Sequence, residues 1–542
     1  MKEWWVGMGS AVHLVLFAGA ASRVNWVGGK SSVAPILSAW KRAQVSTRSR
    51  NGYYTLVLTS NPYRSTSRTI SAFSCKASLD AETGPSSRSP QEENRDNLDA
   101  HVRATVAASR RRRRCAVVGG GFAGLATAYH LVAYGSDVTV FDPNEVGTGG
   151  ASSVAGGLLH PLTPRGKMIW KGLEGLAAAK ELIEVANGAL AAGGCEGGAT
   201  ANASRGCVTT ERIYRPIMDE KAHETFSKSA EELPEWIERL PPDEFLRLVP
   251  GADHRTCLGG VRIRHALAVD SPTYLRGLWA ACVTLAKRIP AAANPDVSGS
   301  PREGARWIRE RVEDVHALAG STEFDAVVAC VGPEAKVLPG VRDIANLRLT
   351  RGQSLIYSNV ATSPHQQPLE SSKDGEEVEA AAERAEKQKL LTSAVLCGEY
   401  VVPVGVHEGG IGDKIVCGST QEPILYPDAL RKPADMNEAI RLLRPKVAKL
   451  YPALEGAEPL GVTSGVRVIR DRDKHGRIPI AGRLPFSARG WVIAALGARG
   501  LIHHAYLGRL VAACALLDDD RYLPPQVTEI LKDLGGKSSR DL

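Results

Sequence analysis

The first 79 residues of this 542-residue chain almost lack acidic side chains. Glu3 is the single acid there, among many serines, arginines and lysines. An N-terminus that is poor in acids and rich in Ser and Arg is typical of an organelle transit peptide. We therefore predict that residues 1–79 are a transit peptide for import into a chloroplast, with a mitochondrion as the alternative. The apolar stretch Ala11–Ala21 leaves a secretory signal as a competing interpretation.

Cysteine spacings typical of metal sites are missing as well. The ten cysteines are scattered and include no C-x-x-C pair. Cys330 and Cys417 lie in apolar, strand-like runs, which favours small buried thiols in a reduced compartment over a disulfide framework. We expect no bound metal. The sequence also has no uninterrupted apolar run as long as a membrane-spanning helix, so we expect no membrane span.

Excess positive charge is missing from most of the chain, although the formal net charge is +8. The surplus lies in the first 114 residues and the remainder is close to neutral, so charge does not indicate a nucleic-acid partner. Residues 80–114 are polar and are predicted to form a disordered linker. They end in five arginines, Arg110–Arg114, which we interpret either as a solvated flank or as a signal for nuclear import or RNA contact.

The clearest positive signal is the segment Cys115–Asp142, CAVVGGGFAGLATAYHLVAYGSDVTVFD. Its apolar ends, Cys115–Val118 and Val138–Phe141, are predicted to be strands, and apolar residues recur between them at helical spacing. A G-x-G-x-x-G turn follows the first strand, and an acid ends the second. Together these features predict a βαβ dinucleotide-binding unit.

Each glycine of this turn has a physical role. Gly119 permits the tight turn, Gly121 lets the backbone approach a pyrophosphate, and Gly124 lets the helix pack closely on the strands. The phosphates would lie at the helix N-terminus, where free N–H groups and the helix dipole favour anions. Asp142 can accept a hydrogen bond from a ribose hydroxyl, and it argues against NADP because it would repel a 2′-phosphate.

A second segment, Gly147–Pro161 (GTGGASSVAGGLLHP), follows the acid-bearing strand. It has no large side chain before Leu158, so it can lie flat against a planar ligand, and Ser152 and Ser153 offer hydroxyl groups. A flexible surface loop is the alternative. Farther along, residues 361–390 are rich in Glu, Ala, Ser and Lys without an aromatic residue. That composition predicts a disordered insertion between two strands.

These segments resemble the D-amino-acid-oxidase-type FAD oxidoreductases, a family that includes glycine oxidase and sarcosine oxidase. The likeness extends over roughly residues 115–520, in matching order and spacing. The segments that carry it are VVGGGFAGLATAYHL with Asp142, GASSVAGGLLHP, AVDSPTYLRGL, DAVVACVGPEA, RGQ at 351–353, SGVRVIRDRDKHGRIPIAG and GARGLIHHAYLGRLVA. Within the family, the chain looks most similar to the oxidoreductase half of the bacterial bifunctional enzyme that matures the wobble uridine of tRNA. The N-terminal composition suggests a plant organellar member.

The resemblance implies an α/β protein in which a Rossmann-like FAD-binding domain is interleaved with a mixed-sheet α+β substrate domain. The expected FAD-binding parts are about 115–165, 300–335 and 461–520, the substrate-domain parts are about 166–299 and 336–460, and a C-terminal tail follows at 521–542. FAD is expected to bind noncovalently, because Val154 stands where some members carry a flavin-linked histidine.

The resemblance also implies which residues contact FAD. The glycine turn and Asp142 would hold the ADP part, Ser152–Gly157 would pass beside the flavin ring, and the backbone of Val312 would meet the adenine. The helix that starts after Gly497 would close over the pyrimidine end of the flavin. The expected FAD-binding residues are Gly119, Gly121, Phe122, Ala123, Gly124, Asp142, Ser152, Ser153, Gly156, Gly157, Val312, Gly332, Gly497, Arg499, Gly500, Leu501 and Ile502.

Arg467, in SGVRVIRD, is the expected catalytic-site residue. The resemblance implies that it binds the substrate carboxylate, and its planar guanidinium can hold a carboxylate through two hydrogen bonds. The alternative is a surface ion pair with Asp471 or Asp473. His160, His503 and His504 are expected to pack or to lie at the surface rather than to act as bases.

The function implied by the resemblance is that of an FAD-dependent amine or amino-acid oxidase or dehydrogenase. A small amino acid or secondary amine docked on Arg467 would transfer hydride from its carbon to flavin N5, and O₂ or an electron carrier would take up the electrons. One alternative is a tRNA wobble-uridine oxidoreductase that removes a carboxymethyl group. Another is a flavin-binding protein without catalysis.

Overall fold

The computed structural model describes most of the chain after residue 89 and three short pieces before it. The described residues are 44–50, 53–59, 74–76, 90–109, 112–193, 206–252, 257–288, 304–344, 346–359, 391–405, 412–425, 430–485 and 487–535. The predicted insertion 361–390 and most of the predicted transit peptide lie outside them. The chain divides into two compact units, Met1–Arg88 and Ser89–Leu542.

The first unit contains a three-stranded antiparallel sheet with its strands in sequence order. The strands are β1 (Gln44–Arg50), β2 (Tyr53–Thr59) and β3 (Ser74–Lys76). This sheet does not test import into an organelle, so the transit peptide stays a prediction.

The second unit is built on a six-stranded sheet in the order β12-β5-β4-β13-β21-β20. The first five strands are parallel, and β20 joins the edge antiparallel. The strands are β4 (Arg114–Val118), β5 (Asp137–Phe141), β12 (Ala305–Ile308), β13 (Ala326–Ala329), β20 (Ile480–Arg483) and β21 (Gly490–Ala494). Most are short apolar runs buried on both faces, which is typical of parallel strands covered by helices.

Four long helices pack together into one core beside this sheet. They are α2 (Phe122–Ala133), α4 (Gly172–Ala191), α7 (Ser271–Arg288) and α10 (Gly500–Leu517). Two of them, α4 and α7, lie in the segment 166–299 that the sequence assigned to the substrate domain. The small faces of α4 and α7 are buried against the helices of the parallel sheet, and the domain boundary stays a prediction.

One of these helices corrects the expectation about apolar runs. Gly497–Leu517 is long and apolar enough to cross a membrane, but 78% of its most apolar window is buried inside the protein. Gly508 lets it approach α2 closely, since a Cβ there would lie 2.9 Å from the Cβ of Ala126. Its apolar character is therefore that of a core helix.

A nine-stranded mixed sheet forms the other large layer, in the order β18-β14-β17-β16-β15-β8-β10-β9, with β19 paired to β14. The strands are β8 (Ile213–Pro216), β9 (Ile237–Leu240), β10 (Gly260–Ile263), β14 (Leu347–Ser358), β15 (Ala394–Cys397), β16 (Glu399–Val404), β17 (Lys414–Gly418), β18 (Glu422–Ile424) and β19 (Gly461–Arg470). The sequence assigned β19 to the FAD-binding part 461–520. The structure instead pairs it with β14 along ten residues, because its alternating pattern suits a sheet with one covered face.

The remaining elements connect or cover these layers. A small sheet contains β6 (Leu158–Leu159), β7 (Val208–Thr210) and β11 (Leu267–Val269). The helices are α3 (Gly150–Ser153), α5 (Glu220–Glu232), α6 (Pro242–Leu248), α8 (Val315–Gly320) and α9 (Met436–Leu450), and α9 packs on the mixed sheet. Short 3₁₀ turns lie at Gly332–Lys336, Pro452–Leu454, Gly497–Arg499 and Asp520–Tyr522.

The predicted disordered linker and the predicted C-terminal tail both contain helices. The predicted linker 80–114 holds α1 (Pro90–Ala108), in which Leu98 and Val102 are buried. The predicted tail 521–542 holds α11 (Pro525–Gly535), which packs on β20. Both helices are mostly polar and bury only a few apolar side chains, so composition alone did not separate them from loops.

The cysteine prediction agrees with the structure where the chain is described. Eight cysteines there are free, and seven of these are buried. Burial raises the pKa of the Cys330 thiol to about 12, so this side chain behaves as a small apolar group. No group of three His, Cys, Asp or Glu residues in the described ranges could hold a metal ion.

Candidate active site

The residues expected to bind FAD follow the carboxyl ends of the parallel strands. Gly119 follows β4, Asp142 follows β5, and Gly332 and Gly497 lie three residues beyond β13 and β21. Val312 lies four residues beyond β12 and packs against the apolar core. Because these strands are parallel, their carboxyl ends form one edge, which is where ligands bind in open α/β sheets. The structure thus brings these five positions to the same edge.

The glycine turn has the close contacts that its spacing predicts. Gly119 has a φ of +100°, and a Cβ there would lie 2.4 Å from the carbonyl oxygen of Cys330. A Cβ at Gly124 would lie 1.8 Å from the carbonyl oxygen of Gly119. Gly121, the N-cap residue of α2, has no side chain of its own to cap the helix. The turn is therefore a cradle of closely packed backbone at a helix N-terminus, a shape and polarity that fit a pyrophosphate.

A third close contact in this turn was not predicted. A Cβ at Gly120 would lie 2.0 Å from the indole ring of Trp307 on β12. The Trp307 indole N–H donates to the backbone carbonyl of Asn144 over 3.1 Å. The only sign of this contact in the sequence was the additional glycine in VVGGGF. A glycine is needed there because Trp307, far away along the chain, leaves no room for a side chain.

Asp142 has a structural role in addition to its predicted one. Its carboxylate accepts hydrogen bonds from the backbone N–H groups of Gly120 and Asn144, each at 2.8 Å, and from the Asn144 side chain at 3.1 Å. A carboxylate has about four acceptor positions. The contacts fix the glycine turn and leave Asp142 with capacity for one ribose hydroxyl.

The small-residue segment, Gly147–Pro161, lies against the start of α2. The Ser152 hydroxyl accepts a hydrogen bond from the backbone N–H of Phe122 at 3.1 Å, and a Cβ at Gly121 would lie 2.9 Å from the same oxygen. Ser153 instead donates to the carbonyl of Gly149 at 2.7 Å, within its own turn. Ser152 is thus at the cradle, whereas Ser153 shapes the segment.

The turn into α10 lies beside the same cradle. A Cβ at Gly500 would lie 3.6 Å from the Phe122 ring, and a Cβ at Gly497 would lie 2.8 Å from Ile469 of β19. Leu501 and Ile502 are buried in the helical core. Their side chains therefore face away from any ligand, and only the backbone at the start of α10 can contact one.

Arg467 lies on the face of the mixed sheet that the small-residue segment covers. A Cβ at Gly465, two residues earlier on β19, would lie 2.7 Å from Val154. The Arg467 guanidinium crosses the neighbouring strand above Gly352, where a Cβ would lie 3.1 Å away. It donates to the backbone carbonyl of Thr420 at 3.3 Å. This one contact leaves most of its five donors for a ligand.

The alternative ion pair for Arg467 is not formed. Asp471 pairs with Arg348 at 2.6 Å, and Asp473 pairs with Arg470 at 2.5 Å. Both carboxylates therefore have other arginine partners. Desolvation raises the pKa of the Asp473 carboxyl, but the hydrogen bonds from Arg470 and from the backbone of His475, together with the Arg470 charge, outweigh it and lower this pKa.

Tyr400 was not predicted, and it lies beside Arg467. Its ring fills the space next to Gly156, where a Cβ would lie 2.7 Å from the ring. Its hydroxyl is 3.0 Å from the Ser354 hydroxyl. Burial raises the pKa of Tyr400, and the nearby Arg467 charge opposes that shift. The phenol is therefore protonated at physiological pH and can donate a hydrogen bond.

A buried polar network fixes the carbonyl that Arg467 contacts. The Gln353 backbone N–H donates to the Thr420 hydroxyl at 2.8 Å, and that hydroxyl donates to Glu422 at 2.5 Å. Arg351 pairs with Glu422 at 3.2 Å. Arg351 and Gln353 of the RGQ segment thus point to the other face of the sheet and support the site, whereas Gly352 lies under the Arg467 guanidinium.

The three histidines are not placed to act as bases. The ring of buried His504 is hydrogen-bonded to the Tyr274 hydroxyl at 2.7 Å. Burial lowers the pKa of His504 to about 4. Burial likewise lowers the pKa of His503 to about 3. The pKa of His160 falls to about 4 through burial and the charges of Arg215 and Arg499. All three are neutral at physiological pH, and His503 and His504 are packed in the core.

Comparison with known proteins agrees with this architecture. The family described as "DAO: FAD dependent oxidoreductase" matches residues 114–514, whereas no curated protein gives a significant match. Glycine oxidase from Geobacillus kaustophilus is similar at 20% identity and a TM-score of 0.53, covering 76% of this chain and 97% of its own. Iminodiacetate oxidase from Chelativorans sp. BNC1 is similar at 18% identity and a TM-score of 0.52, covering 77% and 98%.

L-proline dehydrogenase from P. horikoshii has the same fold, with 14% identity, a TM-score of 0.53 and coverage of 78% of this chain and 98% of its own. Identities this low establish a shared fold and leave the substrate open. The family match does establish membership, because it spans well over half of the chain and includes the glycine turn, Arg467 and the turn into α10. The chain belongs to the DAO family of FAD-dependent oxidoreductases.

Proposed function

We propose that this protein uses noncovalently bound FAD to oxidise the carbon–nitrogen bond of a small amino acid or secondary amine. The observation that carries the proposal is the position of Arg467. Its guanidinium lies beside the Tyr400 phenol, on the sheet face that the small-residue segment covers. A cation and a phenol donor side by side suit a substrate carboxylate.

The glycine cradle, Ser152 and Asp142 would hold the phosphates and a ribose hydroxyl of FAD. The helix N-terminus at Gly500 would stabilise negative charge at the flavin. When bound, FAD supplies the acceptor for a hydride. Val154 offers no atom for a covalent flavin link, which supports noncovalent binding.

The roles of this chain's own residues are to bind and to orient. Arg467 would hold the carboxylate through two donors, and Tyr400 would donate a third hydrogen bond to it. Holding a reactant in one orientation supplies much of the acceleration in such a reaction.

The tRNA alternative has less support. Of the five-arginine run, Arg112 pairs with Asp137 at 3.1 Å. Arg114 lies in β4, and its side chain donates to the carbonyl of Thr322 at 3.1 Å. The run is therefore partly built into the domain and is not wholly a solvated flank. Binding of tRNA draws most of its affinity from neutralised phosphates, and the folded part of the chain has no surplus of positive charge.

The test is a substrate screen on the purified full-length protein. The protein is expected to be yellow, and acid precipitation is expected to release the flavin into the supernatant. Without oxygen, glycine, an N-alkylglycine or a D-amino acid should bleach the flavin. A folded protein that takes up no FAD contradicts the cofactor assignment. Bleaching only by tRNA that carries a carboxymethylated wobble nucleoside, with binding that weakens in salt, would favour the tRNA alternative.

A further inference from the structure

Arg215 is a buried cation without an acidic partner. Its side chain lies on β8, and the residue is only 5% exposed. Three other buried arginines each have a carboxylate: Arg351 has Glu422, Arg470 has Asp473, and Arg509 has Asp99. Within the described ranges, no carboxylate lies within ion-pairing distance of Arg215. A buried charge is strongly disfavoured unless an opposite charge compensates it.

The groups that do contact Arg215 carry no negative charge. Its guanidinium lies 5.1 Å from the centre of the Phe226 ring, and it contacts the thiol of Cys397. Desolvation raises the pKa of that thiol, so it is neutral at physiological pH. A cation–π contact offsets part of the cost of burial, but it supplies no counter-charge.

Two acids whose charges act on the Cys397 thiol, Glu399 and Asp219, have other partners. Glu399 pairs with Lys446 at 2.8 Å. Asp219 caps α5 by accepting a hydrogen bond from the backbone N–H of Ala222 at 2.7 Å. Neither carboxylate forms an ion pair with Arg215.

Strand register places Arg215 on the same sheet face as the site. Ile213, two residues before it on β8, is opposite Ala394 on β15. On that strand, Leu396 is opposite Tyr400 on β16. Residues two apart on a strand, and residues opposite each other, share one face. Arg215 therefore lies on the Tyr400 face, two strand spacings or roughly 10 Å from it.

This part of the face is positively charged. The charges of Arg215 and Arg499 both act on His160 and lower its pKa to about 4. Arg499, at the start of α10, also forms no ion pair among the described residues, and it is half-buried. Two cations around a neutral histidine form a site that only an anion can balance.

We propose that Arg215 binds a second carboxylate of the substrate, so that the preferred substrates are dicarboxylic amines. The proposal rests on the proposed function, in which Arg467 holds the first carboxylate on the other side of Tyr400. Arg215 on β8 and Arg467 on β19 are five strands apart in the sheet, so a bridging N-carboxyalkylglycine would hold its amine between them and the longer members of such a series are expected to fit best. Arg499 would add a second positive charge near the distal carboxylate.

The test compares two substrate series on the full-length protein with FAD bound. One is the N-carboxyalkylglycines with one to four methylene groups between amine and distal carboxylate, and the other is N-alkylglycines of matching length. The measurement is kcat/KM for flavin reduction without oxygen. At the best length, the dicarboxylate should be preferred by at least about tenfold, as expected for one charge-assisted hydrogen bond.

Substitution then assigns the preference to Arg215. In Arg215→Met the ratio of the two kcat/KM values should fall toward one, and Arg215→Lys should retain part of it. Arg262→Met is the matched control, because Arg262 is opposite Tyr214 on the next strand and thus on the other face. A wild-type protein without a preference for the dicarboxylate overturns the proposal, whether or not the variants fold. An equal preference in wild type and Arg215→Met overturns it too.

A binding measurement separates this proposal from the proposed function. Glutarate and butyrate are not oxidised, and their dissociation constants can be measured by calorimetry on the same proteins. Glutarate should bind at least about tenfold more tightly than butyrate, and Arg215→Met should remove the difference. If no amine reduces the flavin but this difference is present, the proposed function fails and the anion site stands. If amines reduce the flavin without any such difference, the anion site fails alone.

Discussion

At the scale of single residues, the site depends on which side chains lack a partner. Arg467 was predicted because its motif matched a family pattern. Tyr400 and Arg215 were not predicted, because their roles come from cross-strand register. The local sequences show no motif that would indicate a functional role, neither around Tyr400 (EYVVPV) nor around Arg215 (RIYRP). Only the pairing of β16 with β17 and of β8 with β15 puts both side chains on the Arg467 face.

Tyr400→Phe tests the second carboxylate donor. Loss of the phenol should lower kcat/KM for an N-alkylglycine by about 10- to 100-fold, because a hydrogen bond to a charged group contributes about 1.5–3 kcal/mol. The flavin spectrum should stay the same. Tyr451→Phe is the matched control, since the Tyr451 hydroxyl donates to the carbonyl of Pro250 in the core of the opposite face. Unchanged kinetics in Tyr400→Phe would remove Tyr400 from the site.

At the scale of elements, the sequence predicted the βαβ unit well. Strand, turn, helix and acid there are adjacent in the chain, so local patterns determine them. The helices α1 and α11 were not predicted, because each is stabilised by docking a few apolar side chains on a distant surface. Asp99 in α1 likewise pairs with Arg509 of α10 at 2.7 Å, a contact that no local pattern encodes.

Docking of α1 can be tested by stability. Leu98→Ala should lower the free energy of unfolding of the second unit by about 2–4 kcal/mol, the usual cost of truncating a buried leucine. Thr105→Ala, at an exposed position of the same helix, should leave it nearly unchanged. Chemical denaturation of both variants measures the difference. Equal stability of Leu98→Ala and wild type would return residues 90–108 to the linker interpretation.

The polar network behind Arg467 joins β14, β18 and α9. Gln353 is fully buried, and its side-chain oxygen accepts from Arg351 at 3.0 Å and from the backbone N–H of Asp435 at 2.6 Å. Gln353→Ala should cost about 2–4 kcal/mol of stability, because it leaves buried donors unpaired. It should also raise KM, because the Gln353 side chain donates to Glu422 at 3.0 Å and Glu422 in turn accepts from the hydroxyl of Thr420, whose carbonyl contacts Arg467. Gln421→Ala, at an exposed position, is the control, and a similar KM in both variants would contradict the supporting role.

At the scale of the whole molecule, the fold class and the family were predictable from the order of motifs along the chain. The packing of α4, α7 and β19 was not predictable in the same way, because each of them packs away from its neighbours in sequence. The part before residue 89 stays a prediction based on composition. Its acid-poor, Ser- and Arg-rich composition is typical of a transit peptide, and the fold of the second unit does not bear on this prediction.

Import is tested with a fusion of residues 1–89 to a fluorescent protein. We propose that the fusion enters chloroplasts and is shortened there, because the segment has the composition of a transit peptide. The second unit alone, fused from Ser89, should stay in the cytosol. Secretion of the first fusion would instead support the signal-peptide interpretation from Ala11–Ala21.

The measurement that most directly tests the account is flavin reduction by one small amine in wild type and in Arg467→Ala. Sarcosine, mixed rapidly with the protein without oxygen, should bleach the wild-type flavin. In Arg467→Ala the substrate dissociation constant should rise by about 30- to 1000-fold, corresponding to 2–4 kcal/mol for a lost charge-assisted pair, while the flavin stays bound. Arg472→Ala, an exposed arginine just beyond β19, should behave like wild type. Equal reduction kinetics in wild type and Arg467→Ala would contradict the carboxylate site at the centre of the account.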